Sequence, residues 1–310
     1  MRQPSFGCRS NLARVRRIFS GSYPQKGSSI MKKSINGWSF PAEYTFEDCL
    51  AAAKKAGFDG IEFNLDGENK GHSFTFETTD EEILAVKALC EQYGIVPVSV
   101  SSSLHHNAWG KSAPEDVEYI MKVLKTQLNA AKVLGADAIL VVPGGMNEKL
   151  SLKESRANSI KNLKAAEDMI RASGVTVALE NVWNGFFLSP YDMISFLDEL
   201  DSDVFALYFD LGNMVAFSNS EYWAEIVGSR TAKIHIKDFK RNGGINRGGT
   251  FCDLLTGDLN FKAAMAALKK EGFDGYLTAE VSKAEGVEWE DFFASVSEAE
   301  DIIAGYYNEA

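Results

Sequence analysis

Val175-Thr176-Val177-Ala178-Leu179-Glu180 is an apolar, β-branched run that stops on a carboxylate, and the same ending recurs down the chain. Phe205–Phe209 runs into Asp210, Ala232–Ile236 carries His235 near its end, and Tyr276–Glu280 closes on its glutamate. Upstream, Ser34–Trp38, Ile61–Leu65, Ile95–Ser101 and Ala138–Val142 read as four more strands. Helical stretches lie between them, and Gly57, Gly94 and Gly135 mark turns that lead from a helix into the next strand. Strands separated by whole helices pair in parallel through crossovers. An open, doubly wound sheet would share that alternation. Polar strand ends meet at one mouth only if the sheet closes, so the fold class predicted is α/β, a single (β/α)₈ TIM barrel over residues 31–310.

The length of 310 residues is what eight such units need once a short tail is set aside. With 45% hydrophobic and 24% charged residues, the chain has the composition of a packed globular protein and not of a disordered one. Arg2, Arg9, Arg14, Arg16, Arg17 and Lys26 stand in the first thirty residues with no acid beside them, so the net charge of −11 understates how acidic the rest is. Nucleic acid is held by clustered Lys and Arg, so an acidic body argues against that partner. Cys8, Cys49, Cys90 and Cys252 are scattered without framework spacing, which suits reduced thiols in a cytoplasmic protein. No apolar run reaches the ~20 residues of a membrane span. Met1–Ile30 reads as a basic, disordered extension ahead of a natural start at Met31-Lys32-Lys33.

Glu180, Asp210, His235 and Glu280 end four consecutive strands, and adjacent strand ends in a barrel lie about 5 Å apart. Three crowded carboxylates repel one another, and a divalent cation resolves the repulsion. Any one of these acids alone would read as a helix cap or a lysine partner. Together, and without thiolate, they suit one Mn²⁺, taken as the first expectation, or Co²⁺, Mg²⁺ or Zn²⁺. Two carboxylates on opposite sides of a bound molecule can also work as an acid/base pair, one removing a proton from one face and the other delivering a proton to the other, with the metal holding negative charge that develops between them.

The segments Leu179-Glu180-Asn181, Phe209-Asp210-Leu211-Gly212-Asn213, Ile234-His235-Ile236-Lys237-Asp238 and Ala279-Glu280-Val281 resemble the signature segments of the sugar phosphate isomerase/epimerase family in the xylose-isomerase-like TIM-barrel superfamily. That group includes ketose 3-epimerases and L-xylulose-5-phosphate 3-epimerases. The resemblance covers nearly everything from Lys33 onward. It implies Glu180, Asp210, His235 and Glu280 as metal ligands, with Glu180 and Glu280 also the catalytic acid/base pair of an epimerisation beside a carbonyl, in which the metal would grip a ketose C2 oxygen and its neighbouring hydroxyl and hold the charge of an ene-diolate. It further implies a substrate contact for Arg241, six residues after His235, and a substrate-side place for Asn213, where the tagatose-type enzymes have a histidine. Trp183-Asn184-Gly185-Phe186-Phe187 lacks the further glutamate of that type, which argues against free D-psicose or D-tagatose.

Other candidate substrate contacts are Glu62 at the end of the second strand, His105 and His106 after the third, and Trp38 and Trp183 as aromatic walls. Each also reads as ordinary packing or a solvated loop. Lys237, Lys240, Arg241 and Arg247 gather positive charge around a Gly-rich connection from Asp238 to about Asp258, which reads as a lid or substrate loop, and a phosphorylated substrate fits that charge. The expected partners are a small sugar and further copies of the chain, as a dimer or tetramer. The alternatives are a metal-dependent dehydratase or lyase of an inosose-type keto-polyol, a DNA-repair endonuclease of the same fold, and a binding protein without chemistry. An endonuclease needs more His than the four present and a basic surface.

Overall fold

The computed structural model describes residues 31–68, 71–106, 108–146 and 149–310. The expectation for residues 1–30 lies outside them. Eight parallel strands form the barrel: β1 Lys32–Asn36, β2 Gly60–Leu65, β3 Val96–Ser101, β4 Ala138–Val141, β5 Thr176–Glu180, β6 Phe205–Asp210, β7 Thr231–Ile236 and β8 Tyr276–Ala279. They pair in sequence order, and β1 closes the ring by pairing with both β2 and β8, for example Ile35 with Ile61 and with Ala279. The predicted fold class is therefore the observed one.

Local chemistry sets the alternation. Four crossover helices begin with a capping box, in which Thr45, Thr79, Ser151 or Ser189 exchanges hydrogen bonds with an acid three residues on. Gly57, Gly94, Gly135 and Gly174 take left-handed backbone at helix C-termini, which a residue with a Cβ adopts only at a cost. Along each strand one set of side chains faces the helices and the other faces the barrel axis. The helix-facing set, with residues such as Ile35, Phe63, Val100 and Phe209, belongs to one continuous apolar cluster. A smaller cluster of Leu140, Val142, Ala178 and Tyr208 lies apart from it. Elsewhere the strands bury polar groups, among them Asn36, Glu62, Asn64, Ser99 and Ser101, in a connected hydrogen-bond network. That network needs partners at every position.

Two expected boundaries shift. The first strand stops at Asn36, whose side chain accepts from the Trp38 N–H and starts a 3-10 turn over Gly37–Ser39, so Trp38 stands beyond the strand. The Gly-rich connection carries an antiparallel hairpin, Asp238–Arg241 with Gly249–Cys252, and is not an irregular loop. Asp238 accepts from the backbone N–H groups of Phe239, Gly257 and Leu259, which pins the far end of that connection to its start. Cys49 and Cys90, each on a helix, are buried free thiols. Among the described residues no helix is long and apolar enough to cross a membrane. The last helix, Trp289–Glu309, buries Glu300, and burial raises its carboxyl well above the usual range against the opposing pull of Lys33.

Candidate metal centre

Glu180 and Asp210 are the last residues of β5 and β6, and Asn181 locks these two strand ends together. Its amide donates to the Asp210 carbonyl at 2.8 Å, and its own oxygen accepts from the Asp210 N–H at 2.9 Å. Asp210 then caps the short helix Leu211–Val215: its Oδ1 accepts from the Asn213 N–H at 2.7 Å. That duty fixes the carboxylate and turns Oδ2 inward, where it is buried and has no hydrogen-bond partner among the described residues. Lys237 Nζ lies 2.9 Å from Oδ2, an ion-pair distance. Opposite charge is therefore close, while the directed bond a buried acceptor wants is not made.

His235 on β7 projects Nδ1 into the same space. This atom is 3.1 Å from Glu280 Oε2, 3.4 Å from Glu180 Oε1 and 3.9 Å from Asp210 Oδ2. One ligand atom from each of Glu180, Asp210, His235 and Glu280 lies within 4.8 Å of the other three. A cation at ~2.0–2.3 Å from each donor fits such a cluster, and the orphaned Asp210 oxygen is what it would satisfy. These donors suit a divalent ion and do not single out one metal.

Behind His235 stands Glu62, wholly buried, with Oε2 at 2.5 Å from Nε2. The same carboxylate accepts from Asn36 Nδ2 at 2.5 Å, Ser99 Oγ at 2.7 Å and Tyr208 OH at 2.8 Å. With Nε2–H donated to Glu62, the Nδ1 lone pair is the one left for a metal. Burial alone would raise the Glu62 carboxyl, but the His235 ring and the hydrogen bonds from Ser99 and Asn36 reverse this and hold it below its ordinary value. Burial opposes charge on His235, and Tyr208, Glu62 and Glu280 outweigh it, so the ring holds its proton well above the usual range.

The side chains alone push the two glutamates apart. Burial raises Glu180 to about 7. Burial acts on Glu280 too, but Lys237, at 2.7 Å, and His235 more than offset it and keep that carboxyl ionised far below its normal range. Asp210 is raised, chiefly by burial. Lys237 is raised despite burial because Asp210 and Glu280 both face it.

The other sequence candidates fall in different places. Trp38, partly exposed, lines a cavity of about 500 Å³ together with Lys237, Glu280 and the hairpin residue Phe251. Trp183 is half exposed, stacks on Phe251 with centroids 5.1 Å apart, and donates its indole N–H to the Asn213 carbonyl at 2.5 Å. Asn213 is buried and donates its amide to the Asn181 carbonyl, so it braces the ligand-bearing strand ends. His105 does not reach the mouth. It is fully buried, pairs Nε2 with Gln127 Oε1, accepts at Nδ1 from the Trp109 indole, and burial drives its pKa down to about 4. His106 is exposed.

Arg241 also departs from its expected place at the substrate. Its Nε and Nη2 donate to the carbonyls of Val215 and Ser218 and to Asn219 Oδ1, which straps the hairpin to the segment after β6. Lys240 pairs with Asp258, and Arg247 is exposed near the turn of the hairpin. The residues sequence reasoning passed over are Asn36, Ser99, Asn181 and Tyr208. Asn36 could have been found, since it too is a polar strand end; Tyr208 reads as ordinary strand core.

Comparison with known proteins agrees with this geometry. A family model described as "Xylose isomerase-like TIM barrel" matches residues 50–301. The chain is 25% identical over 241 residues, 76% of its length and 82% of the relative's, to L-ribulose-5-phosphate 3-epimerase UlaE of Salmonella paratyphi C. Its fold matches the IolI protein solved with a zinc atom, with a TM-score of 0.75 at 18% identity over 89% of this chain and 99% of that one. It also matches an L-ribulose 3-epimerase with a TM-score of 0.73 at 18% identity, over 90% and 95% of the two chains. With the model match spanning most of its length, the chain belongs to the xylose isomerase-like TIM barrel family.

Proposed function

We propose that this chain is a metal-dependent epimerase of a ketose or related keto-sugar, acting by proton abstraction beside the carbonyl with Glu180 and Glu280 as the acid/base pair. The observation that carries the reading is the cluster itself: three acids and one imidazole, each presenting a ligand atom within 4.8 Å of the rest, beside an open cavity. The epimerase names of its relatives support the same reading.

When bound, a divalent cation would supply positive charge against the negative charge that grows on a carbonyl oxygen as the neighbouring proton leaves. The chain supplies the rest. Glu180 on β5 and Glu280 after β8 approach the centre with β6 and β7 between them, so they can address two faces of one carbon. One takes the proton and the other returns one from the opposite side, and the roles exchange with the direction of reaction. A pair whose environments separate their proton affinities is what an acid and a base require. Lys237 holds Glu280 in place and ionised, while the Glu62–His235 pair fixes the imidazole edge. Trp38 and Phe251 wall the cavity beside Glu280.

The test is to incubate Mn²⁺-loaded protein with a panel of ketoses and ketose phosphates in D₂O and follow C3 by NMR. Solvent deuterium at C3 together with the C3 epimer is expected for at least one of them, and chelation should stop both. A product lighter by one water would instead assign a dehydratase, and no exchange in any ketose would remove the reading.

A further inference from the structure

We infer that the site selects uncharged polyhydroxylated substrates over phosphate esters, and that Asp253 is the residue that sets this preference; the inference rests on the epimerase reading and narrows it. Among the described residues, the cavity beside the carboxylate cluster has three charged residues in its lining, Lys237, Asp253 and Glu280, and one of them is a cation. That cation is committed: Lys237 Nζ sits 2.9 Å from Asp210 and 2.7 Å from Glu280. Of the basic residues of the neighbouring connection that suggested a phosphate site, Arg247 is exposed and does not line the cavity, and the other two are engaged elsewhere. Lys240 pairs with Asp258 at 3.0 Å, and the Arg241 guanidinium is spent on backbone and amide oxygens of residues 215–219. Neither lines the cavity.

Charge counting gives the sign. The carboxylates of Glu180, Asp210 and Glu280 balance a divalent cation plus Lys237, and Glu62, ionised behind a neutral His235, adds one more negative charge, so the loaded centre has no positive charge to spare. Asp253 is then left over, exposed, with no ion-pair partner among the described residues. A phosphate dianion in this cavity meets an uncompensated carboxylate and no unpaired cation among the described lining residues, and like charges placed together in a binding site are a strong selection against the wrong ligand. Hydroxyl groups meet better partners. Ser39, Thr256 and Ser282 line the same wall, and the Asp253 carboxylate accepts hydrogen bonds from sugar hydroxyls.

The experiment compares kcat/KM of Mn²⁺-loaded enzyme for L-ribulose and for L-ribulose 5-phosphate, read as C3 deuterium exchange, in wild type and in Asp253→Asn. Wild type is expected to favour the free ketose by at least about tenfold, and Asp253→Asn to narrow that ratio severalfold by admitting the ester. Raising the salt concentration should lower KM for the ester in wild type and have less effect in the variant, because salt screens an exposed charge. Preference of wild type for the ester, or a ratio that Asp253→Asn leaves unmoved, overturns the inference while leaving the epimerase reading intact. If neither compound exchanges at C3 while another ketose does, the same pair of measurements is made on that ketose and its ester. Exchange with no ketose at all removes both.

Discussion

Replacing Glu62 tests whether the buried carboxylate behind His235 orients Nδ1, the nitrogen placed to bind a metal. Four donors converge on it, His235 Nε2 and Asn36 Nδ2 at one oxygen, Ser99 Oγ and Tyr208 OH at the other. Glu62→Ala would take a hydrogen bond from all four in a fully buried place, and at ~1 kcal/mol each the loss of roughly 4 kcal/mol is a large part of a domain's stability. Glu62→Gln is the informative variant. Its amide oxygen can still face His235 and Asn36, while its NH₂ turns to Ser99 and Tyr208, whose hydroxyls rotate to accept. The fold survives, and what is lost is the negative charge that holds the Nε2 proton. Partners of this kind are worth 10–100-fold in metal affinity, or about 1.4–2.7 kcal/mol. Titration calorimetry with Mn²⁺, alongside circular dichroism to show the variant is folded, measures it. A folded Glu62→Gln protein that binds Mn²⁺ as tightly as wild type would refute the orienting role.

Glu180→Gln and Glu280→Gln should each lower turnover by about 10²–10⁴-fold while the barrel stays folded, because an amide keeps the shape but accepts no proton; near-wild-type turnover with metal bound would make that residue a ligand only. Mn²⁺ affinity should fall as pH drops through about 7, since Glu180, raised to about 7 by burial, and the His235 ring, raised by the acids around it, must each lose a proton to become ligands; a pH-independent Kd by calorimetry would contradict that. Glu300→Gln should raise Tm by a few degrees near pH 8 and little near pH 5. The folded-state pKa of Glu300 is raised, so its neutral form is favoured by folding, and the stability it contributes is present at low pH and lost as pH climbs above the unfolded value of ~4.3. An equal gain at both pH values would show that charge is not the cause.

The strand count and the four ligand candidates were legible because each rests on a short-range rule. Gly at a helix end, a β-branched run and a terminal carboxylate are all readable within ten residues or so, as in Gly174 to Glu180, and closure of the sheet turns a one-dimensional repeat into a convergent ring. What did not read out depends on which partner a polar group finds across the fold. His105 and His235 look alike in sequence, each a histidine near a strand end. One meets Gln127 and Trp109 inside the wall, where burial keeps it neutral, and the other meets Glu62 across the barrel, 173 residues away in the chain. Arg241 fails for the same reason. Its spacing from His235 is right for a substrate contact, but Val215, Ser218 and Asn219 offer oxygens at 2.6–2.9 Å that no local pattern announces. Asp210 shows the reverse case. The sequence marks it as a strand end, and only the structure shows that capping the next helix with Oδ1 is what leaves Oδ2 inward and unbonded. A candidate metal ligand is here the by-product of a helix start, so Asp210→Asn, which can still cap through its amide oxygen, separates capping from metal binding.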